Sequence, residues 1–472
     1  SKDLIQTCPL QVCLAASVLD GGTKRRQHHE GHGQDSRNLQ SRASTNANAF
    51  LVLCQRTLRR SSTTSTRALS GRDQGGTGIA NVDRFSINML NPAGYTNMDF
   101  ATLEMSGAHR SFRHRITDED IDQTNFNTYY DYFGFGFKFN EYFAGSFSVS
   151  PLAAKGYSIS VADSSDDFGV YEYRSIGKGG YDKFTFGLAA QPFKWISVGA
   201  NAKYIIGEID ESNKTIIADP DFLSVSNSRR TGISDFTFDL GTQLKFEFGE
   251  YRITAGGVYA LGQDLNARQI STQYTFINSG IAESVVDTLF YDLNEQGRAV
   301  LPSSYGVGIG FTKNVNNSPI NAWDILVDYR VTNWDEFRSF IPNGGIDPGA
   351  TMLNSERMSF GAAIVPAYCF PALGRSRNYF VLARYRIGAF QEVGQYQWDG
   401  VGYTSREFNA GISFPVIYRS LAPGEQKASF LNISMGRGQR WDGNSANLRE
   451  DYWNFNLGIT LNDKWFQKFR YR

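Results

Sequence analysis

Alternation of apolar with polar or glycine residues dominates the chain from about residue 98 to residue 462. The clearest example is residues 450–462, where every second residue from Trp453 to Leu461 is large and apolar and the residues between are Asn, Gly or Thr. The same pattern recurs in residues 133–139, 236–248, 305–311 and 323–331. A period of two indicates β-strands with one apolar and one polar face.

Fourteen segments carry this pattern, each with about ten residues or more, the length that crosses a bilayer as a tilted strand. An even number of strands lets an antiparallel sheet close without a free edge. The sequence therefore predicts an all-β fold, an antiparallel 14-stranded transmembrane β-barrel. The segments are 97–107, 126–139, 142–161, 181–191, 194–209, 233–248, 250–273, 297–313, 321–333, 355–367, 377–391, 401–416, 427–439 and 450–462.

Connection lengths alternate between the two ends of the predicted barrel. Even-numbered segments end in short turns, such as Asn140–Glu141, Pro192–Phe193 and Gly249. Most odd-numbered segments lead into long polar stretches, predicted to be loops: 108–125, 162–180, 210–232, 274–296 and 334–354. Short turns on one side and long loops on the other are typical of outer-membrane barrels. Both ends of the barrel then lie on the periplasmic side.

Composition agrees with a thin-walled barrel. Among 472 residues, 47 basic residues balance 47 acidic ones, and aromatic residues make up 14%. No net charge attracts nucleic acid, so nucleic acid is excluded as a partner. No apolar run is long enough for a transmembrane helix. The four cysteines show no metal-ligand spacing, and we expect no metal and no cofactor.

Residues 1–74 show neither a period of two nor one of 3.6. They are rich in Ser, Thr and Arg, and contain no convincing signal peptide. Two interpretations stay open: a disordered tail, or a stretch that is not native coding sequence. At the other end, residues 463–472 form an aromatic and basic tail that we expect to extend into the periplasm.

A glycine-rich turn containing Gly75, Gly76 and Gly78 precedes the first strand, followed by the corner Asn91-Pro92-Ala93. Together with fourteen predicted strands, this opening resembles the FadL-like outer-membrane transporters of hydrophobic compounds, and most closely their Bacteroidota-type branch. The resemblance covers about residues 75–472, and departs from that branch at Gly94, where Ser is usual. It implies that residues 75–96 form an N-terminal hatch inside the barrel, leaving 97–462 as the barrel itself.

The third segment contains two strand breakers, Pro151 and Gly156. Proline lacks the N–H that a ladder needs, so it belongs at a bulge or an edge. In the resembled family the third strand carries a kink that opens a lateral exit. We therefore expect a lateral gate at Pro151 and Gly156; the alternative is a β-bulge without a gate.

Four basic residues alternate with lipid-facing positions and should point into the lumen: Lys203, Arg330, Arg384 and Arg386. They either pair with Asp239, Asp328 or hatch carboxylates and so fix the hatch, or bind a ligand carboxylate. His109 and His114 lie near Ser106 and Ser111, but no nucleophile motif frames either serine. We therefore expect that the protein is not an enzyme.

Two functions remain. The resemblance implies passive uptake of hydrophobic compounds such as long-chain fatty acids across the outer membrane, with lateral exit through the third strand. The partners would be outer-membrane lipid and a hydrophobic small-molecule ligand. The alternative is a non-transporting scaffold or adaptor with protein partners in an outer-membrane secretion or assembly complex.

Overall fold

The structure, a computed structural model, describes residues 62–63, 74–116, 121–165, 169–219, 221–278, 283–316, 318–339, 353–370, 379–398, 401–422, 425–444, 447 and 449–464. The predicted C-terminal tail lies outside these residues from 465 onward. So does the N-terminal segment 1–74, apart from Ser62, Thr63 and Gln74.

Fourteen antiparallel strands form one closed barrel, which confirms the predicted fold class. The strands are β1 (Ala101–Ile116), β2 (Ile121–Lys138), β3 (Phe143–Ser165), β4 (Gly169–Phe193), β5 (Ile196–Ile217), β6 (Ser224–Phe248), β7 (Tyr251–Ala260 and Gln263–Asn278), β8 (Glu283–Leu301 and Ser304–Asn314), β9 (Asn321–Thr332), β10 (Ser355–Ile364), β11 (Arg384–Trp398), β12 (Val401–Ala422), β13 (Glu425–Trp441) and β14 (Arg449–Asp463).

Strands β7 and β8 are each interrupted once. Both parts of β7 pair with β6, and both parts of β8 pair with β7, so each counts as one strand. The interruption in β8 is at Pro302, which has no N–H for the ladder. The barrel closes where β14 pairs with β1, from Arg449 opposite Arg115 to Asp463 opposite Ala101.

The two faces of the wall follow the alternation. In β14 the apolar residues Trp453, Phe455 and Leu457 are exposed on the outer surface. The polar residues between them are buried: Asn454 and Asn456 lie inside the barrel, hydrogen-bonded to other lumenal side chains. An apolar outer band and a polar interior are the arrangement of a barrel in lipid.

The prediction of long loops at 108–125, 162–180, 210–232 and 274–296 is wrong for the described residues, because strands run through most of each. Strands β3 to β6 have 22 to 25 residues, about twice the length needed to cross a bilayer. Outside the membrane both faces of a strand meet water, so the period-two signal disappears although the strand continues. Most of the fifth predicted loop, 334–354, lies outside the described residues.

A few short elements complete the described fold. A 3₁₀ turn at Pro92–Asn97 lies at the end of the predicted hatch, and another at Trp334–Glu336 follows β9. Helical turns at Pro366–Cys369 and Tyr379–Leu382 lie between β10 and β11. Arg338–Ser339 pairs with β8, and Ser62–Thr63 pairs with β3. Within the described residues, no helix is both long and apolar enough to span a bilayer.

Candidate functional site: hatch, lumen and side opening

The segment predicted to be the hatch, called the hatch below, begins with a turn whose backbone favours glycine. Gly75 and Gly76 have φ of +68° and +83°, in the left-handed region that glycine favours. Gln74, placed before the hatch by the sequence, is fully buried, and its amide donates to Asp324 Oδ1 at 2.6 Å. The packed segment therefore starts at least one residue earlier than predicted.

Asn91 organises the Asn-Pro-Ala corner. Its side-chain oxygen caps the 3₁₀ turn by accepting from Ala93 N at 3.0 Å, and Pro92 occupies the first position of the turn. The Asn91 amide donates to Ile79 O at 2.8 Å and to Thr242 O on β6 at 2.9 Å. One side chain thus joins both hatch motifs to the barrel wall.

Gly94, the departure from the family pattern, has a local reason. A Cβ built on Gly94 would lie 2.7 Å from the side chain of Asn88. Asn88 in turn donates to Gly78 O at 2.8 Å and accepts from Leu90 N at 3.1 Å. A serine at position 94 would require Asn88 to move.

Asp328 of β9 and Arg384 of β11 hold the hatch by electrostatic contacts. Asp328 Oδ2 accepts from Gly78 N at 2.7 Å and from Ile79 N at 3.0 Å. Arg384 bridges hatch and wall, because its guanidinium lies 2.7 Å from Asp83 and 2.5 Å from Asp324. Burial opposes ionisation of Asp83, but Arg384 and Arg386 outweigh it and hold the pKa of Asp83 below its usual 3.8.

The four predicted lumenal cations differ in their contacts. Arg384 binds the hatch, Lys203 forms an ion pair with Asp239 of the wall, and Arg386 donates to Ser413 on β12. Asp328, a predicted ion-pair partner, accepts N–H groups of the hatch. Arg330 is half-buried, and within the described residues no hydrogen bond or ion pair holds its guanidinium.

Other lumenal residues were missed by the sequence reading. Arg357 donates to Gly75 O at 3.2 Å and to Glu392 at 2.8 Å. Glu407 accepts from Tyr452 Oη at 2.9 Å and from Asn454 at 3.0 Å. All of these residues lie at the alternate strand positions that face the lumen. The period of two in the sequence could therefore have identified them.

A small cavity lies where the hatch meets β11 and β14. Its volume is about 30 Å³, enough for a water molecule, and Asp83, Glu104, Arg384 and Arg386 are among its lining residues. The described residues contain no cluster of three His, Cys, Asp or Glu side chains placed for a metal ion.

The pairing of β2 with β3 ends part-way along the two strands. These strands pair only from Lys138 opposite Ala144 to Phe133 opposite Val149. Beyond Phe133 and Val149, β2 stays paired with β1 and β3 stays paired with β4, but β2 and β3 no longer pair with each other. We call the region between residues 121–132 and 150–165 the side opening. Glu104, Tyr132 and Ser150 are buried at its lower end, where Tyr132 Oη donates to Glu104 at 2.8 Å.

Two bulges coincide with the lower end of the side opening. The β1–β2 register shifts between Ser106 and Gly107, which leaves Asp131 unmatched. The β3–β4 register shifts between Pro151 and Ala153, which leaves Leu152 unmatched. Bulges bend strands, so β2 and β3 diverge where both occur. Pro151 thus lies at a bulge and at an edge, whereas β3 itself continues unbroken through Gly156.

His109 and His114 do not meet in one site. His109 Nδ1 lies 2.7 Å from Thr128 Oγ1, and its ring stacks on Phe126. His114 stacks on Phe112. Because successive strand residues face opposite sides, the two histidines point away from each other.

Comparison with known proteins now identifies the family. A sequence model of the BamG family matches residues 61–472. The chain belongs to the BamG family. The match starts at residue 61, inside the N-terminal segment 1–74, for which the sequence predicts no regular structure. A comparison with curated proteins found no match.

Solved structures similar to this BamG-family chain are FadL-type barrels. One is a Pseudomonas aeruginosa FadL homologue, with 11% identity, a TM-score of 0.50, and coverage of 85% of this chain and 99% of that chain. Another is the P. putida toluene transporter TodX, with 11% identity, a TM-score of 0.51 and the same coverage. At this identity the similarity shows the fold alone; membership of the Bacteroidota-type branch stays a prediction.

Proposed function

We propose that this protein is an outer-membrane channel through which hydrophobic compounds, such as long-chain fatty acids, enter passively and leave sideways. The observation that carries the proposal is the end of β2–β3 pairing at Phe133–Val149. Below that level the hatch fills the lumen, with Ile87 and Met98 packed beside Gly136 of β2. A compound entering from outside therefore meets the side opening just above the hatch.

Partition supplies the driving force of this route. Moving an apolar chain from water into lipid releases roughly 0.8 kcal/mol per CH₂ group, so neither nucleotide nor metal is required. The inward-facing residues of the wall include charged groups such as Lys203, Asp239 and Glu407. Such a lining suits a ligand with one polar end, and the guanidinium of Arg330 is a cation available to a carboxylate.

Replacing Pro151 by valine tests lateral exit. Valine restores a backbone N–H and favours strand structure, so pairing of β3 with β2 should extend upward. We expect uptake of a radiolabelled long-chain fatty acid by cells to fall toward that of cells lacking the protein. Pro415→Val is the matched control, because Pro415 also lies at a strand bulge, on β12, away from the opening. Normal uptake by the Pro151 variant would contradict lateral exit.

A second function, as a scaffold in an outer-membrane protein complex, is favoured by the extracellular part of β8. Its residues Glu283 to Gly297 pair with β7, and no other described strand pairs with them. Large apolar side chains are exposed along this edge: Val285, Val286, Leu289, Phe290 and Tyr291. Exposed apolar groups on an unpaired strand are typical of protein contacts.

Phe290→Lys separates the two functions. If the chain is a scaffold, this charge should remove a stoichiometric partner from gently purified complexes while leaving uptake unchanged. Phe126→Lys is the control for partner binding, because Phe126 is also exposed but lies on β2, away from β8. Partner retention in both variants would contradict a contact at β8.

A further inference from the structure

The free edge of β3 in the side opening carries a second strand from the same chain. Thr63 pairs with Ala153 and Ser62 pairs with Ala154, in antiparallel register. The other side of Ala153 and Ala154 is occupied by Tyr181 and Gly180 of β4. Ser62–Thr63 therefore lies on the side of β3 that β2 has left.

The position of the pairing matches the geometry of the opening. Ala153 immediately follows the unmatched Leu152, so the added strand begins directly above the point where β2 and β3 diverge. An unpaired strand edge presents a row of N–H and C=O groups, which bind an extended segment through main-chain hydrogen bonds. Of the two paired residues, Thr63 is of a type that favours strands.

The chain is long enough to reach this edge from the hatch. Thr63 and Gln74 are eleven residues apart, which allows a span of up to about 40 Å. A 14-stranded barrel with strands about 4.8 Å apart and tilted by about 40° has a diameter of roughly 28 Å. Gln74, fixed against Asp324 on β9, therefore does not prevent Thr63 from reaching β3. The family match, which starts at residue 61, includes both contacts.

We propose that the strand at Ser62–Thr63 docks on the free edge of β3 and closes the lower part of the side opening from within the same chain. The docking rests on strand pairing alone. Its consequence for transport rests on the proposed function: a compound leaving sideways must displace this strand from β3.

Disulfide trapping tests the docking. In a background with Cys8, Cys13, Cys54 and Cys369 replaced by serine, two pairs are made, Thr63→Cys with Ala153→Cys and Ser62→Cys with Ala154→Cys. Adjacent antiparallel positions alternate in geometry, so using both pairs samples both geometries, each with a Cα–Cα distance within the range of disulfides. The matched control is Thr63→Cys with Val286→Cys, because Val286 is exposed on the distant β8 edge.

Mild oxidation of the protein in isolated outer membranes, followed by peptide mass spectrometry, should show a disulfide in one of the two pairs and none in the control. No disulfide above the control level in either pair would overturn the proposal. Fatty-acid uptake by the trapped protein then tests the consequence of docking for transport separately from the docking itself. Uptake that is blocked and restored by reductant supports both proposals. Trapping with unchanged uptake upholds the docking and refutes the lateral route.

Discussion

Replacing Gly256 by valine is expected to dislodge the hatch from the wall, whereas the same replacement at Gly257 is not. Gly256 faces the lumen on β7, and a Cβ there would lie 2.8 Å from the carbonyl carbon of Ile79 in the hatch. That neighbour is backbone, fixed by hydrogen bonds to Asn91 and Gln243. It cannot rotate away as a side chain would.

Overpacking of this kind costs about 1–3 kcal/mol of stability, occasionally more. We expect Gly256→Val to lower the thermal unfolding midpoint in detergent and to make the hatch cleavable by added protease. Gly257 is the control on the next residue: a Cβ there meets Thr242 Cγ2 at 3.5 Å, an ordinary contact. Equal protease sensitivity of the two variants would show that close packing at Gly256 does not hold the hatch.

The barrel could be predicted because lipid imposes a period of two. Wherever one face of a strand meets hydrocarbon, as in β14, apolar residues occupy every second position and the strand is visible in the sequence. The halves of β3 to β6 farther from the hatch could not be recognised in the same way. Both of their faces meet water, so sequences such as residues 210–217 read as polar loops.

The candidate site was only partly predictable for a related reason. The glycines of the hatch and Pro151 are visible because their backbone requirements are local. The partners of lumenal charges are not local: Arg384 meets Asp83 across 301 positions of sequence. The side opening also depends on two bulges in different strands at one level, Asp131 and Leu152, and each is set by register with a neighbour.

Replacing Arg384 by methionine is expected to be the most destabilising single change to the hatch at neutral pH. Arg384 is the shared partner of two nearly fully buried carboxylates, Asp83 and Asp324. Removing one member of a buried ion pair typically costs 3–5 kcal/mol, because the remaining charge is left without compensation. Arg113→Met is the control: its ion pair with Asp122 is about half exposed, and exposed ion pairs contribute little to stability.

The pH dependence of this loss identifies its cause. In the unmodified protein the pKa of Asp83 is lowered, so its stabilisation is complete above pH 3.8 and is lost only as pH falls below that value. Without Arg384, burial dominates and raises the pKa of Asp83, so the carboxyl takes up a proton as the pH falls toward 4 and its uncompensated charge disappears. The difference in unfolding midpoint between Arg384→Met and the unmodified protein should therefore be largest at pH 7 and shrink toward pH 4. A difference that stayed constant between pH 7 and pH 4 would mean that Arg384 acts by packing rather than by neutralising Asp83.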